Sequence, residues 1–330
     1  MTTIAARRGA LGYRGSEGFV GALCARCSRS SSESAVQYLA SAGAARAEVE
    51  VVSSEGLAER KNRLAFAFYA TDDNYALAVL VFLHRLRDLG MRSDADVVAL
   101  HLPVSPVLTA MMREMGIITK LVEPLEQVGD PYYRHSLVKL RIFELTQYDR
   151  VLFIDSDSIP LKSLDDLLGL QLPEPIAAPS AYWLEQPWWT SAMLLARPSS
   201  SNWGRVVRHM GSRQTAHDQY FDMEVVNNEF AGEIGTLPSS SFCLNSEWEV
   251  ASRPGYFSDP SEAYSSVSLV HFTALGKPWM YSTDDVRRLR PHAHSAFYDM
   301  WDQWHTSRKA VVSKLSERTT GLPHDHAAPS

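Results

Sequence analysis

The sequence offers its chemistry where apolar runs stop. Residues 151–154, Val-Leu-Phe-Ile, read as a buried strand that ends in Asp155-Ser156-Asp157. Side chains alternate along an extended chain, so Asp155 and Asp157 point the same way off its end. Two hard oxygen ligands on one side suit Mn²⁺ or Mg²⁺, an ion that can hold phosphate oxygens as well. A polar turn that only stops a strand has the same spacing, and spacing alone leaves the two readings about even. A second run, Leu269-Val270-His271-Phe272, leads into Gly276-Lys277-Pro278-Trp279. Here the imidazole offers a nitrogen ligand and the amine a point charge suited to a diphosphate. An isolated histidine is more often satisfied by a carbonyl, but beside the aspartate pair the ligand reading gains weight.

Two further residues stand out by their surroundings. On a helix over 133–147, Lys139 shares a face with Ile142, Phe143 and Thr146, which sets a cation in an apolar stripe that requires an anion; the alternative is snorkelling to solvent. Asp222 falls on a helix over 217–230, where Asp218 and Glu229 share its face, so a solvated acidic face competes with a positioning role.

The elements that must position these residues follow from the patterning. Strands at 64–70, 97–102, 117–122 and 151–154 alternate with helices at 74–89, 106–115 and 133–147, and a short helix follows Pro160, whose missing N–H suits a first helical turn. Alternation of this kind makes a mostly parallel α/β sheet, whose ligands bind at the carboxyl ends of the strands. Beyond residue 176 the pattern loosens into a Trp- and Pro-rich loop, a strand at 192–196, helices near 203–210 and 217–230, and short strands to Phe272.

Composition narrows the class. The chain has 330 residues, 45% hydrophobic, with 32 basic and 38 acidic side chains for a net charge of −6. It can bury a sizeable core, and no basic field exists to hold a nucleic-acid backbone. Cys24 and Cys27 have CxxC spacing in a Ser-rich leader but lack a second ligand pair, so zinc is disfavoured. No run approaches the ~20 apolar residues that span a bilayer. The chain reads as cytoplasmic, with the Golgi or another secretory compartment as the alternative. Residues 1–60, which include Arg7, Arg8, Arg14, Arg26 and Arg46, read as a disordered tail and resemble a transit peptide only weakly. A domain over 61–283 and a helical extension over 284–330 complete the expected organisation.

The stretch from about 63 to 281 resembles glycosyltransferase family 8, the glycogenin-like retaining enzymes. The residues that carry the likeness are Ala70-Thr71-Asp72-Asp73-Asn74-Tyr75-Ala76, Lys139-Leu140 with Leu145-Thr146-Gln147-Tyr148, and His271-Phe272-Thr273-Ala274-Leu275-Gly276-Lys277-Pro278-Trp279. Within the family the likeness is greater to the fungal N-acetylglucosaminyltransferases, through Tyr148-Asp149-Arg150-Val151, Ala181-Tyr182-Trp183-Leu184 and Phe221-Asp222-Met223-Glu224-Val225-Val226-Asn227. The resemblance implies a single GT-A-type, Rossmann-like domain that transfers GlcNAc or glucose from a UDP-sugar to a hydroxyl of a glycan, protein or small molecule. It implies that Asp155, Asp157 and His271 bind Mn²⁺, with Mg²⁺ as the substitute. It further implies that Ser156 and Tyr75 touch ribose and base, that Lys277 meets the diphosphate, and that Lys139, Asp222 and Lys277 form the catalytic set. The resemblance also implies donor contacts at Tyr69, Thr71, Asp72, Thr190, Ser191 and Gly276.

Three departures bear on the sugar pocket. Family members have Gly where Ala274 stands, Gln where Met223 stands and Asn where Thr190 stands, which leaves the donor sugar open. The alternatives are a self-glucosylating enzyme like glycogenin, a phosphatase of the haloacid-dehalogenase type using the same Asp-x-Asp, and a nucleotide-sugar-binding protein without catalysis.

Overall fold

A computed structural model describes residues 63–125, 135–213, 221–251 and 257–320. All of them fall in one unit, Glu59–Ser330. The expected tail with Cys24 and Cys27, the start of the helix expected at 133–147 and the start of the helix expected at 217–230 lie outside the described residues.

Strand β1 (Leu64–Ala70) is buried throughout, and its alternation sorts the core into two halves. Phe66 and Phe68 face one side of the sheet, and Ala65, Ala67 and Tyr69 the other. Helix α1 (Asp73–Asp88) starts where the Asp72 carboxylate accepts from the backbone N–H of Asn74 at 2.8 Å and Tyr75 at 3.1 Å, and it closes with Arg85 and Arg87 near its carbonyl end. It covers the Phe66 side. Strand β2 (Ala95–His101), helix α2 (Pro106–Glu114) and strand β3 (Ile117–Leu121) follow, then strand β4 (Arg150–Ile154), with every residue buried.

The remaining strands are short. β5 (Ser158–Pro160) precedes helix α3 (Asp165–Leu168), and β6 (Ile176–Ala178) and β7 (Met193–Ala196) precede helices α4 (Ser200–Arg213) and α5 (Asp222–Glu229). β8 (Ile234–Thr236), β9 (Cys243–Leu244), helix α6 (Pro260–Ser266), β10 (Leu269–His271) and helices α7 (Thr283–Leu289) and α8 (Ser295–Thr320) complete the chain.

Seven strands form the central sheet in the order β3-β2-β1-β4-β7-β6-β8. Its pairs are parallel except those made by β7, which runs antiparallel to both β4 and β6. A second sheet, β5-β10-β9, lies at the carboxyl end of β4. Among the described residues no helix is long and apolar enough to cross a membrane.

Two expectations about local structure are corrected. The segment expected as an α-helix over 133–147 is, from Ser136 to Glu144, a run of 3-10 turns, and Thr146 lies exposed beyond its end. Pro160 does not open a helix: it ends β5 opposite Leu269, and the helix begins at Asp165. A proline tolerated at a first helical turn is tolerated equally at a strand end, since either position lacks an N–H partner.

Candidate active site

The small sheet brings His271 to the aspartates across more than a hundred residues. His271 pairs with Ser158 on one side and Leu244 on the other, and the next amide, Phe272 N–H, donates to the Asp157 carbonyl at 3.0 Å. One ligand atom each from Asp155, Asp157 and His271 then lies within 4.8 Å of the others. Asp155 Oδ1, Asp157 Oδ1 and His271 Nε2 are buried without a well-directed hydrogen bond. Asp155 Oδ1 does stand 2.8 Å from Lys139 Nζ, and His271 Nε2 stands 3.3 Å from Asp157 Oδ1, as ion-pair contacts. Buried polar atoms without directed partners are rare, and three converging on one point with two carboxylates and an imidazole match the donor set of a divalent cation.

Lys139 is 3% exposed. Its ammonium lies 2.8 Å from Asp155 Oδ1 and 2.8 Å from Asp222 Oδ2. The anions that this buried cation requires are therefore two carboxylates of the same chain. Lys139 also lines the cleft, beside the two carboxylates it holds. Burial by itself lowers the Lys139 pKa, but Asp155 and Asp222 outweigh it and hold the amine above its ordinary value. Asp222 sits at the first turn of α5, 7% exposed, where it also accepts from the Ser191 hydroxyl. Burial raises its pKa, yet Lys139 and Ser191 bring it below the ordinary carboxylate range. The competing solvated acidic face is excluded for Asp222, since Glu229 turns away to Arg205 and His209.

Lys277 reaches Asp157 from a turn shaped by Leu275 and Gly276, which have φ of 65° and 103°. Burial raises the Asp157 pKa, but Lys277 and His271 outweigh it and hold the carboxyl well below its usual range. Asp155 is the opposite case, raised because desolvation exceeds the pull of Lys139. The turn hangs on Asn245, which is fully buried and which sequence reasoning missed. Asn245 Oδ1 accepts from the Thr273 and Ala274 amides, each at 2.8 Å, and its Nδ2 donates to the Ala274 carbonyl at 3.3 Å. Asn227 plays a similar part for the opposite segment, accepting from Trp189 N–H at 2.9 Å and donating to the Trp189 carbonyl at 2.8 Å. A buried Asn has no periodic or spacing signature, which is why only the fold reveals it.

These groups line one open cleft of about 830 Å³. Of the residues expected to contact donor, it collects Tyr69, Thr71, Asp72, Tyr75, Lys139, Asp155, Thr190, Ser191, Asp222 and Lys277, with the ligands Asp157 and His271. Tyr75 stands between Tyr69 and Trp279, with ring centroids at 5.4 and 4.9 Å. Asp72 faces the cleft while also capping α1. Two expected contacts are corrected. Ser156 is fully buried and donates to the Tyr69 carbonyl at 2.6 Å, so its hydroxyl clamps β4 to β1 and does not face the cleft. Gly276 does not line the cleft; it turns the chain that presents Lys277. Thr190 lines the cleft, and its hydroxyl accepts from the Ala192 amide at 3.1 Å.

The sequence model described as "Glycosyl transferase family 8" matches residues 66–204, from within β1 into α4. His271 and Lys277 lie beyond the matched segment. Two curated fungal relatives, each named "Glucose N-acetyltransferase 1", are similar: one from Gibberella zeae at 29% identity over 66% of this chain and 54% of its own length, and one from Aspergillus fumigatus at 28% over 68% and 67%. Glycogenin-1 of Mus musculus is 26% identical over 79% of this chain and 80% of its own length. The chain thus spans about half the length of the Gibberella relative.

Among solved structures, the bifunctional glycosyltransferase WbbM superposes with a TM-score of 0.60 at 14% identity, over 78% of this chain and 52% of its own. The galactosyltransferase LgtC in complex with donor and acceptor sugar analogs superposes with a TM-score of 0.58 at 16% identity, over 74% and 95%. At such identities these two establish the fold, GT-A, with its mostly parallel central sheet. The segment that matches the model of glycosyl transferase family 8, residues 66–204, contains Lys139, Asp155 and Asp157.

Proposed function

We propose that the protein is a retaining hexosyltransferase that moves GlcNAc or glucose from a UDP-sugar to an acceptor hydroxyl, with Mn²⁺ as the preferred ion. The observation that carries this reading is the convergence of Asp155, Asp157 and His271 beside Lys277 in a cleft whose rim bears Tyr75. Two carboxylates and an imidazole suit Mn²⁺, which accepts both oxygen and nitrogen ligands. When bound there, the ion would neutralise charge on the diphosphate and make it a better leaving group.

The chain's own residues supply the rest. Three buried carboxylates, Asp155, Asp157 and Asp222, face two ammonium groups, Lys139 and Lys277, an excess of one carboxylate over the ammonium groups. The excess carboxylate would favour a divalent cation held by Asp155, Asp157 and His271, which would in turn favour an anionic donor. Lys277, half-buried on its turn, is positioned to meet the diphosphate as charge develops on it. Lys139 holds Asp155 and Asp222 at fixed separation and so acts as a positioning residue. Tyr75 offers a ring face for a nucleobase. Of the lining carboxylates outside the ligand pair, Asp222 is engaged by Lys139 and Ser191, Glu224 accepts from the Phe221 amide and Asp72 accepts from the Asn74 and Tyr75 amides, so none is set apart as a covalent nucleophile. We therefore favour a front-face route, in which the leaving phosphate oxygen receives the acceptor proton.

The phosphatase alternative does not fit a GT-A fold with His271 recruited to the pair. The test is a screen of UDP- and GDP-sugars for nucleotide release with Mn²⁺, Mg²⁺ or chelator. Mn²⁺-dependent release of UDP from one UDP-sugar is expected. Release of phosphate from simple phosphomonoesters, with no sugar nucleotide consumed, would overturn the reading.

A further inference from the structure

The cleft carries two separate aromatic groups, and the proposed reaction uses only one. Tyr69, Tyr75 and Trp279 belong to the base side. The other centres on Trp183, 38% exposed, which lines the same cleft. Its ring is held edge to face by Tyr182, with centroids 5.1 Å apart at 87°, and lies 6.2 Å from Phe242. Phe242 in turn stands 6.0 Å from the ligand His271. Tyr182 is itself fixed, because its hydroxyl accepts from the Leu244 amide at 3.1 Å and contacts Cys243 Sγ at 3.2 Å. Trp183 thus presents an indole backed by the rings of Tyr182 and Phe242 and exposed at the cleft.

We infer that Trp183 is the stacking platform for the acceptor, and that the acceptor is a saccharide which lays the C–H face of a pyranose ring on the indole. This inference rests on the transferase reading above. An indole presents a large apolar face with a negative quadrupole, complementary to the weakly positive C–H groups of a sugar ring, and with only two side-chain torsions it loses little freedom when covered. The cleft walls are mixed: Glu224, Ser136, Thr273 and His271 carry hydrogen-bonding groups, and Phe221, Met223 and Leu244 are apolar. A polyol with one apolar face offers matching surfaces to both kinds of wall, its hydroxyls to the polar groups and its C–H face to the indole. Phe242 stands between Trp183 and His271, 6.2 Å from the first and 6.0 Å from the second, which sets Trp183 toward the metal end of the cleft, where the transferred sugar must meet its acceptor.

The test uses the full-length protein with UDP and Mn²⁺ and follows saturation transfer by NMR to four probes: methyl β-D-glucopyranoside, methyl β-D-galactopyranoside, methyl α-D-mannopyranoside and N-acetyl-tyrosinamide. At least one glycoside should receive saturation on its ring C–H protons. Trp183→Ala should weaken that glycoside's binding roughly tenfold, and Trp183→Phe should restore part of it. Melting curves identify a variant that has not folded, in which case Trp183→Phe and Trp183→Leu carry the comparison. Saturation of the tyrosine amide alone, no saturation of any glycoside, or equal binding by wild type and the folded variants would each overturn the inference. Donor hydrolysis by wild-type protein is recorded alongside. Its loss would count against the transferase reading, while intact hydrolysis with unaltered glycoside binding would count against Trp183 alone.

Discussion

The Lys139 ammonium lies 2.8 Å from Asp155 Oδ1 and 2.8 Å from Asp222 Oδ2, so one buried cation ties the end of β4 to the first turn of α5. Removing one member of a buried, paired set leaves uncompensated charge, which costs about 3–5 kcal/mol. Lys139→Met is therefore expected to lower the melting temperature by roughly 10 °C as well as to abolish turnover. A loss of turnover with an unchanged melting temperature would place Lys139 on the donor and not on the two carboxylates.

Asn245 concerns the turn that presents Lys277. Asn245→Ala leaves the Thr273 and Ala274 amides without their acceptor, a loss of about 1–3 kcal/mol for buried groups. Because the slackened turn bears Lys277, the donor KM should rise more than kcat falls. Stability loss with unchanged donor KM would show that Asn245 supports the fold without positioning Lys277.

Gly276 tests the shape of the same turn. Its φ of 103° disfavours a side chain, and a Cβ there would stand 3.0 Å from Met280 Sδ. Gly276→Ala should destabilise by about 1–2 kcal/mol from backbone strain. Met280→Ala in the same chain would relieve crowding but not strain, so full rescue by the double substitution would contradict the backbone argument.

Acid dependence follows from Asp222. Its pKa is raised by burial but lowered further by Lys139 and Ser191, and the net is below the ordinary value. A carboxylate depressed in the folded state contributes stability that is present above the unfolded pKa of about 3.9 and lost as pH falls through the depressed value. Asp222→Asn should accordingly show a shallower loss of stability on acidification than wild type in urea titrations from pH 6 to pH 3. Parallel acid limbs would show that Asp222 is not the depressed group.

How much of this was legible in the sequence depended on whether a residue's environment is local. Strands β1 to β4 and helices α1 and α2 declared themselves by long apolar runs and helical spacing, and Asp155 with Asp157 by their position at a strand end. His271 was legible as a ligand only beside the aspartates. The partners of Lys139 were not, because a 3-10 run rotates its side chains differently from an α-helix and Asp222 arrives from another part of the chain. Ser156 illustrates the same limit: its type suited ribose, but the alternation that points Asp155 and Asp157 into the cleft points Ser156 back toward the Tyr69 carbonyl. The three-residue strands β5, β6 and β10 are too short for periodicity to mark, and Trp301 and Trp304 on α8 pack into the core without any motif.

The most direct measurement is donor hydrolysis against Mn²⁺ concentration for wild type, Asp157→Asn, His271→Ala and the double variant. If both side chains hold one ion, each single change raises the Mn²⁺ needed for half-maximal rate, and the double variant is far less impaired than the product of the two effects. Additive losses, or full activity of wild-type protein in chelator, would contradict a shared metal centre at Asp155, Asp157 and His271.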